Sequence, residues 1–204
     1  MNETVAGGKR IYLYDCTLRD GAQTKGVDFS AADKQVIAHE LDRIGIDYIE
    51  GGWPGANPTD DAFFANPPKL ASAKLTAFGM TRRAGRSSAN DPGLNALFST
   101  GVETLCLFGK TWDFHVEVAL AIESEENVTM IADSVSSALK RVEEVIFDAE
   151  HFFDGYKSNP DYALACLNAA YEGGARWIVL CDTNGGTLPD EVERIVGNVA
   201  ERIP

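Results

Sequence analysis

"IYLYDCTLRDGAQ", residues 11–23, is an apolar run that ends abruptly on an arginine, an aspartate, a glycine and a glutamine. The same shape recurs along the chain. "YIEGG" from Tyr48, "KLTAFGM" from Lys74, "TLCLFG" from Thr104, "VIFDAE" from Val145 and "WIVLCD" from Trp177 are each short and apolar, at spacings of roughly thirty to forty residues. Such runs read as successive strands of a covered parallel sheet, apolar on both faces. Six βα units in series leave an open doubly wound sheet or a barrel. Polar residues crowd the ends of many strands: Arg19 and Asp20 after the first, Glu50 in the second, Asp148 and Glu150 in the fifth, Asp182 and Thr183 in the sixth. Functional groups gathered at many carboxyl ends, not at one switch point, favour a TIM (β/α)8 barrel. A full barrel has eight strands and about 250 residues, so the expected fold is a TIM barrel truncated after about six βα units, with open edges on strands one and six that some partner should cover.

The helices between these runs carry their own signals. Ser30 precedes a first helix in which Val36, Ile37, Leu41 and Ile44 repeat until Gly45 stops it. Val128, Ile131, Val135, Ala138 and Val142 make a second stripe. Asn159-Pro160 starts a third, with Leu164, Leu167 and Tyr171 inward. Thr187 to Asp190 resembles a capping box for a fourth, whose apolar face is Val192, Ile195, Val196 and Val199. These stripes read as core packing.

Composition narrows the function classes. The chain has 204 residues, 45% hydrophobic and 24% charged, the balance of an ordinary globular domain. Its net charge of −13, from 31 acidic and 18 basic residues, argues against nucleic acid or an anionic membrane surface as partner. No apolar stretch approaches the length of about eighteen residues that spans a bilayer, and "MNETVAGGKR" lacks the apolar core of a signal peptide, so the expected compartment is the cytoplasm. Cys16, Cys106, Cys166 and Cys181 show no CxxC spacing and read as reduced, mostly buried thiols.

"LRDGAQ" is the sharpest chemical signal. Asp20 after a strand offers oxygen to a hard divalent cation, and Arg19 offers a planar fork to a carboxylate or to a carbonyl becoming an oxyanion. Gly21 permits a tight turn, and Gln23 supplies a neutral donor and acceptor. On residue types alone, an exposed Arg–Asp pair in a loop is an equal reading.

In its wider setting, "YDCTLRDGAQTKG" resembles the first-strand signature of the metal-dependent barrels called DRE-TIM metallolyases. With "DYIEGGWPGANPTD", "LFGKTWDFHV", "FDAEHFFDGY" and "VLCDTNGGTLPDE", in order and in register, the chain resembles the 2-isopropylmalate synthase and homocitrate synthase family of that superfamily, and most narrowly its citramalate-forming branch. The resemblance implies one incomplete catalytic barrel domain over residues 1–204, of the HMGL-like or pyruvate carboxyltransferase kind. It implies a Claisen condensation in which acetyl-CoA loses a methyl proton and its carbon attacks the ketone of a 2-oxo acid, with thioester hydrolysis driving the step. Pyruvate, giving citramalate for isoleucine biosynthesis, is the implied oxo acid. Synthesis of 2-isopropylmalate or homocitrate, a related lyase or decarboxylase, and a non-catalytic binding fragment are the alternatives. The implied cofactor is a divalent metal (magnesium, manganese or zinc), with acetyl-CoA as co-substrate and a homo-oligomer, a dimer, as the assembly.

Carried over by residue, the resemblance makes Asp20 a metal ligand and Arg19 the stabiliser of the oxygen that gains charge. Gln23 would orient the oxo acid, Glu150 would position substrate or move a proton, and Thr183 would bond the substrate carboxylate. Glu50 would order the site. For Glu150 the competing role is partner to a neighbouring base, and for Thr183 a local turn bond. The pattern departs at the metal: the other ligands, a His-x-His pair and an asparagine, are absent, since His39, His115 and His151 are the three histidines. His39 falls on the polar side of the first helix. His115 and His151 could reach the mouth of the site. Lys110 reads as a solvated loop lysine ahead of a contact to a coenzyme A phosphate, and Trp53-Pro54 as a rigid loop at the rim. This chain by itself is expected to be inactive.

Overall fold

The computed structural model describes residues 10–203; residues 1–9 and Pro204, the two ends of the expected domain, lie outside them. Six parallel strands form one sheet whose order follows the chain, β1(Tyr14–Asp15), β2(Tyr48–Gly52), β3(Lys74–Met80), β4(Thr104–Lys110), β5(Glu144–Glu150) and β6(Trp177–Leu180). A doubly wound sheet would reverse direction partway. Sequential order throughout is the winding of a barrel, and the sheet is a half-barrel, a truncated TIM-barrel-like fold, as the sequence led us to expect.

The helices α1(Ala31–Ile44), α2(Pro58–Ala65), α3(Pro92–Phe98), α4(Asp113–His115), α5(Ser124–Ala138), α6(Phe152–Ser158), α7(Pro160–Glu172) and α8(Pro189–Arg202) lie in the connections. A π-helical turn, Val116–Leu120, follows α4 directly. The main core lies between sheet and helices, where Ile49, Ala77, Leu105, Leu107, Val145 and Phe147 meet Phe63, Leu94, Leu97, Ile131, Val135 and Leu167.

Side chains alternate across a strand, and the register fixes which set faces the hollow. Glu50 pairs with Thr76, Thr76 with Thr104 and Thr104 with Glu144; Phe108 pairs with Asp148 and Lys110 with Glu150. The expectation of strands apolar on both faces therefore fails on the inner side, because that face lines a cavity and carries the charged groups. Near the amino ends, aromatic side chains line a further cavity of about 550 Å3: the rings of Tyr12 and Trp177 lie 5.1 Å apart and the Trp177 indole donates to Tyr48 Oη at 3.0 Å. The sheet is curled enough for the lead-in to β1 and strand β6 to touch.

The start of α1 matches its signal. The Ser30 hydroxyl accepts from Asp33 N–H, the Asp33 carboxylate accepts from Ser30 N–H, and Gly45 ends the helix at φ 92°. Its expected apolar stripe is corrected: Val36 and Ile44 are 64% and 65% exposed, because Lys34 and Ala38 set the inward side and Val36 falls opposite them. Tyr171 on α7 and Val196 on α8 likewise turn outward, and Val142 lies past the end of α5. The helix after Thr187 begins one residue late, with Leu188 at its cap and Pro189 as first helical residue. Glu191 accepts from Leu188 N–H, while the Thr187 hydroxyl bonds Asp182 instead. Of "IYLYD", the strand proper is Tyr14–Asp15: Ile11 is 82% exposed, and Leu13 N–H donates to the Asp47 side chain, not to a ladder.

Asp42, on the last turn of α1, ties that helix to the entrance of β3. Its carboxylate accepts from the N–H groups of Ala71, Ser72 and Ala73 at 2.6, 3.0 and 2.8 Å and from the Ser72 hydroxyl. Burial pushes the Asp42 carboxyl up, but these donors outweigh it and bring it to about 2. A folded value below the unfolded one, about 3.9, means stabilisation that is present above the unfolded value and lost as pH falls through the folded one. Asp42→Ala is expected to cost about 1 kcal/mol at pH 7, read as a lower urea midpoint, with the difference from the parent chain shrinking on acidification from about pH 4 to pH 2.

Candidate active site

The carboxyl ends of the strands surround a cavity of about 540 Å3 lined by Arg19, Asp20, Gln23, Trp53, Phe78, Phe108, Asp148, Glu150, Cys181, Asp182 and Thr183. Backbone sets the first of these in place. Leu18 is fully buried, and the N–H groups of Arg19, Asp20 and Gly21 all donate to the Cys16 carbonyl, so the chain turns sharply after β1. That turn sends Arg19 across the hollow.

Arg19 is held on three sides. Its Nε donates to Glu50 Oε1 at 2.6 Å, one terminal nitrogen donates to Asp20 Oδ1 at 3.1 Å, and its guanidinium carbon sits 3.9 Å above the Phe78 ring. Glu50, 1% exposed, also accepts from the Tyr14 hydroxyl. Burial pushes the Glu50 carboxyl up, with Arg19 pulling the other way, and Glu50 in turn raises Arg19 against the cost of its own burial. Asp148 is likewise pushed up by burial, opposed by the Cys181 thiol, which donates to Asp148 Oδ1 at 2.9 Å, and by Arg19.

Trp53, Phe78 and Phe108 form an aromatic wall beside Arg19. Phe78 and Phe108 stack at 5.1 Å, and Trp53 meets both edge-on at 5.8 and 5.3 Å. Trp53 is aimed by a buried pair behind it. The Lys34 ammonium bonds the Gly51 carbonyl at 3.0 Å and the Asp60 carboxylate, whose other oxygen accepts from Trp53 N–H at 2.8 Å. Gly52 has φ 149°, and a Cβ there would lie 2.5 Å from Asp60.

On the far side, Glu150 pairs with Lys110 at 2.5 Å, so the lysine is a partner within the site and not a solvated loop residue. The Thr183 hydroxyl accepts from His151 N–H at 2.9 Å. His115 and His151 meet edge-to-face at 4.3 Å beside Glu150, and burial pushes His115 down. His39 is exposed on α1. The cavity thus brings together Arg19, Asp20, Gln23, Glu150 and Thr183, while Glu50 stands behind Arg19. Tyr14, Phe78, Phe108 and Cys181 were not singled out from the sequence, and Asp148 only as a strand end. Period-two counting places Phe108 with Cys106 and Asp148 with Glu150; the register then adds Phe78, opposite Cys106, and Tyr14, opposite Tyr48.

Asp20 is more than half exposed at the mouth, with one carboxylate oxygen bonded by Arg19. Among the described residues, no group of three His, Cys, Asp or Glu side chains converges to hold a metal ion. Asp20 alone is not a metal centre, and these residues do not fit one without further ligands.

The HMGL-like family matches residues 10–204. An (R)-citramalate synthase of Aquifex aeolicus is 55% identical over 95% of this chain and 37% of that protein, and one of Geobacter sulfurreducens 53% identical over 95% and 37%. The chain spans little more than a third of the length of these relatives. In fold, a hydroxymethylglutaryl-CoA lyase of Bacillus subtilis superposes with a TM-score of 0.78 at 19% identity, covering 97% of this chain and 66% of the lyase.

Proposed function

The chain belongs to the HMGL-like family, and from that premise we propose that it contributes the 2-oxo-acid side of an acetyl-CoA-dependent condensation site, with pyruvate as the oxo acid and citramalate as the product. The observation that carries this reading is Arg19: a guanidinium fixed by Glu50 and Phe78, with nitrogen donors left toward a cavity shared with Asp20, Gln23, Glu150 and Thr183. Placed there, the keto oxygen of the oxo acid takes hydrogen bonds from Arg19, which strengthen as that oxygen gains charge when the acetyl carbon attacks. Thr183 and Gln23 donate to the substrate carboxylate. Glu150, charge-balanced by Lys110, lies where it can position the substrate or accept a proton. In a chain of net charge −13, with Asp20, Asp148, Glu150 and Asp182 also lining the cavity, Arg19 together with the divalent metal would supply the positive charge that an anionic substrate needs.

The divalent metal (magnesium, manganese or zinc) that belongs to this reading would take Asp20 as one ligand and needs others from outside the described residues. A dimeric assembly and a place in isoleucine biosynthesis belong to the same reading. No helix among the described residues is long and apolar enough to cross a membrane.

Thiol release from acetyl-CoA, with magnesium or manganese and a panel of oxo acids, tests the proposal. The expected result is release that depends on pyruvate in a protein carrying the complete barrel, and none above background from this chain alone. Release without any oxo acid would point away from condensation, and turnover by this chain would refute the incomplete metal centre. Under this reading size selection falls to the aromatic wall, since Phe108 lines the cavity and stacks on Phe78, the ring beneath the Arg19 guanidinium. In a protein carrying the complete barrel, Phe108→Leu is expected to shift the preference for 2-oxoisovalerate over pyruvate by roughly tenfold or more, the scale of one or two methylenes in an apolar pocket, read as the ratio of kcat/KM values.

A further inference from the structure

We propose that His151 is a positioning residue: its left-handed backbone lets the chain leave β5 for α6 while the Glu150–His151 peptide keeps its N–H on Thr183, and so fixes the direction in which the Thr183 hydroxyl donates. The proposal rests on the oxo-acid reading of the site. His151 has φ 58° and ψ 33°, one of two non-glycine residues at positive φ among those described, and it stands between the last residue of β5 and the first of α6. Histidine enters this region more readily than most side chains, and a β-branched residue resists it. The trans Glu150–His151 peptide aims its C=O and its N–H in opposite directions, and the turn at His151 leaves that peptide in place between two neighbours. Glu150 C=O turns toward the β4 side and accepts from Thr111 N–H at 3.1 Å and from the Thr111 hydroxyl at 2.8 Å. His151 N–H turns toward the β6 side and donates to Thr183 Oγ1 at 2.9 Å.

A hydroxyl that accepts an N–H keeps its own single proton for donation, and that proton has no acceptor among the described residues. Thr183 lines the cavity, so the free proton is available to a carboxylate there. The imidazole supports the same loop by a second route. His151 Nδ1 lies 3.1 Å from Asp154 Oδ2, which also accepts from Asn184 Nδ2 at 3.0 Å. Main chain and side chain of His151 both reach the segment after β6. Strained backbone of this kind persists where the surroundings over-determine it, and it concentrates at functional sites.

The test uses this chain, pyruvate as the probe and NMR as the readout. His151→Asn and His151→Gly, which tolerate the left-handed region, are expected to bind pyruvate within about threefold of the parent, whereas His151→Val weakens binding about tenfold, the scale of one hydrogen bond to a charged group. Thr183→Val should match His151→Val, Thr183→Ser should restore binding, and the His151→Val/Thr183→Val double variant should be no weaker than either single variant. Multiplicative losses, or a His151→Val chain that binds within about threefold of the parent, would overturn the proposal. Amide exchange at His151 reads the contact without ligand and without the valine variant: protection is expected in the parent and in Thr183→Ser and is expected to be lost in Thr183→Val. A freely exchanging His151 amide in the parent overturns the positioning role whatever pyruvate does. A protected amide in a parent chain that binds no pyruvate upholds the contact and refutes instead the reading that this chain's own residues hold the oxo acid.

Discussion

Replacing Lys34 by methionine is expected to destabilise the chain by about 3–5 kcal/mol, the cost of stripping one partner from a buried ion pair. Lys34 and Asp60 are 2% and 5% exposed, and water cannot take over for a missing charge. Methionine fills nearly the same volume, so the loss reports the stranded Asp60 carboxylate and not a cavity. Asp60 would keep its hydrogen bonds from Trp53 N–H and Asn57 Nδ2 and lose its only cation among the described residues. Its negative charge would then be relieved by protonation or by the Gly51–Trp53 segment moving outward, which carries Trp53 away from Phe78 and Phe108. Urea unfolding followed by tryptophan emission measures both effects. The double variant Lys34→Met/Asp60→Asn is expected to recover most of the stability, because no unpaired charge remains. A single Lys34→Met variant within about 1 kcal/mol of the parent would show that Asp60 is hydrated, and the account of how Trp53 is aimed would fail with it.

The pair also shows where the sequence stops being legible. Ser30 and Gly45 delimit α1 because capping and left-handed termination are local, and short-range chemistry is visible in the letters. Lys34 sits in that same helix and looks like any solvated lysine. Its burial is decided by Asp60, twenty-six residues later, and by the backbone of β2, which no local pattern announces. The six strand runs were readable for the opposite reason: their outward faces, such as Leu105 and Leu107 or Val145 and Phe147, are apolar because helices cover them whatever else the chain does. The inner face was misjudged as apolar, since Thr76, Thr104 and Asp148 alternate with core residues in runs too short to separate the two faces by eye. At the site, Arg19 and Asp20 stood out because charge directly after a strand is conspicuous. The aromatic wall did not, because Phe78 and Phe108 belong to apolar runs and acquire meaning once the register brings them together over the guanidinium. Val36 and Tyr171 fail in a third way: an apolar residue at helical spacing need not face inward when its neighbours already fill the interface.

Arg19→Met is expected to be the most costly change at the site, removing about 3–5 kcal/mol of stability at neutral pH and, under the proposed chemistry in a protein carrying the complete barrel, about a hundredfold to a thousandfold of turnover. The stability loss has a definite pH signature. Glu50 is buried and its carboxyl already lies above the usual range, with Arg19 restraining the rise. Without the guanidinium the rise is larger, restrained by the Tyr14 hydrogen bond. An acid whose folded value exceeds its unfolded one binds more protons in the folded state, so stability falls as pH climbs from the unfolded value, about 4.3, to the folded one, and the deficit vanishes below the lower of the two. The direction is opposite to that at Asp42, whose stabilisation is lost in acid. Arg19→Met should therefore unfold at a much lower urea concentration than the parent at pH 8 and approach it near pH 4.5, and Arg19→Met/Glu50→Gln should lose most of that pH dependence. In Arg19→Met the Tyr14 hydroxyl still donates to Glu50, which limits how far the carboxyl can rise and makes Tyr14→Phe in that background an amplifier of the same effect. An Arg19→Met chain with the parent's stability at both pH values would mean that Glu50 is neutralised by Tyr14 alone. Arg19 would then be free to swing, and a guanidinium that can swing is not a preorganised donor for the keto oxygen.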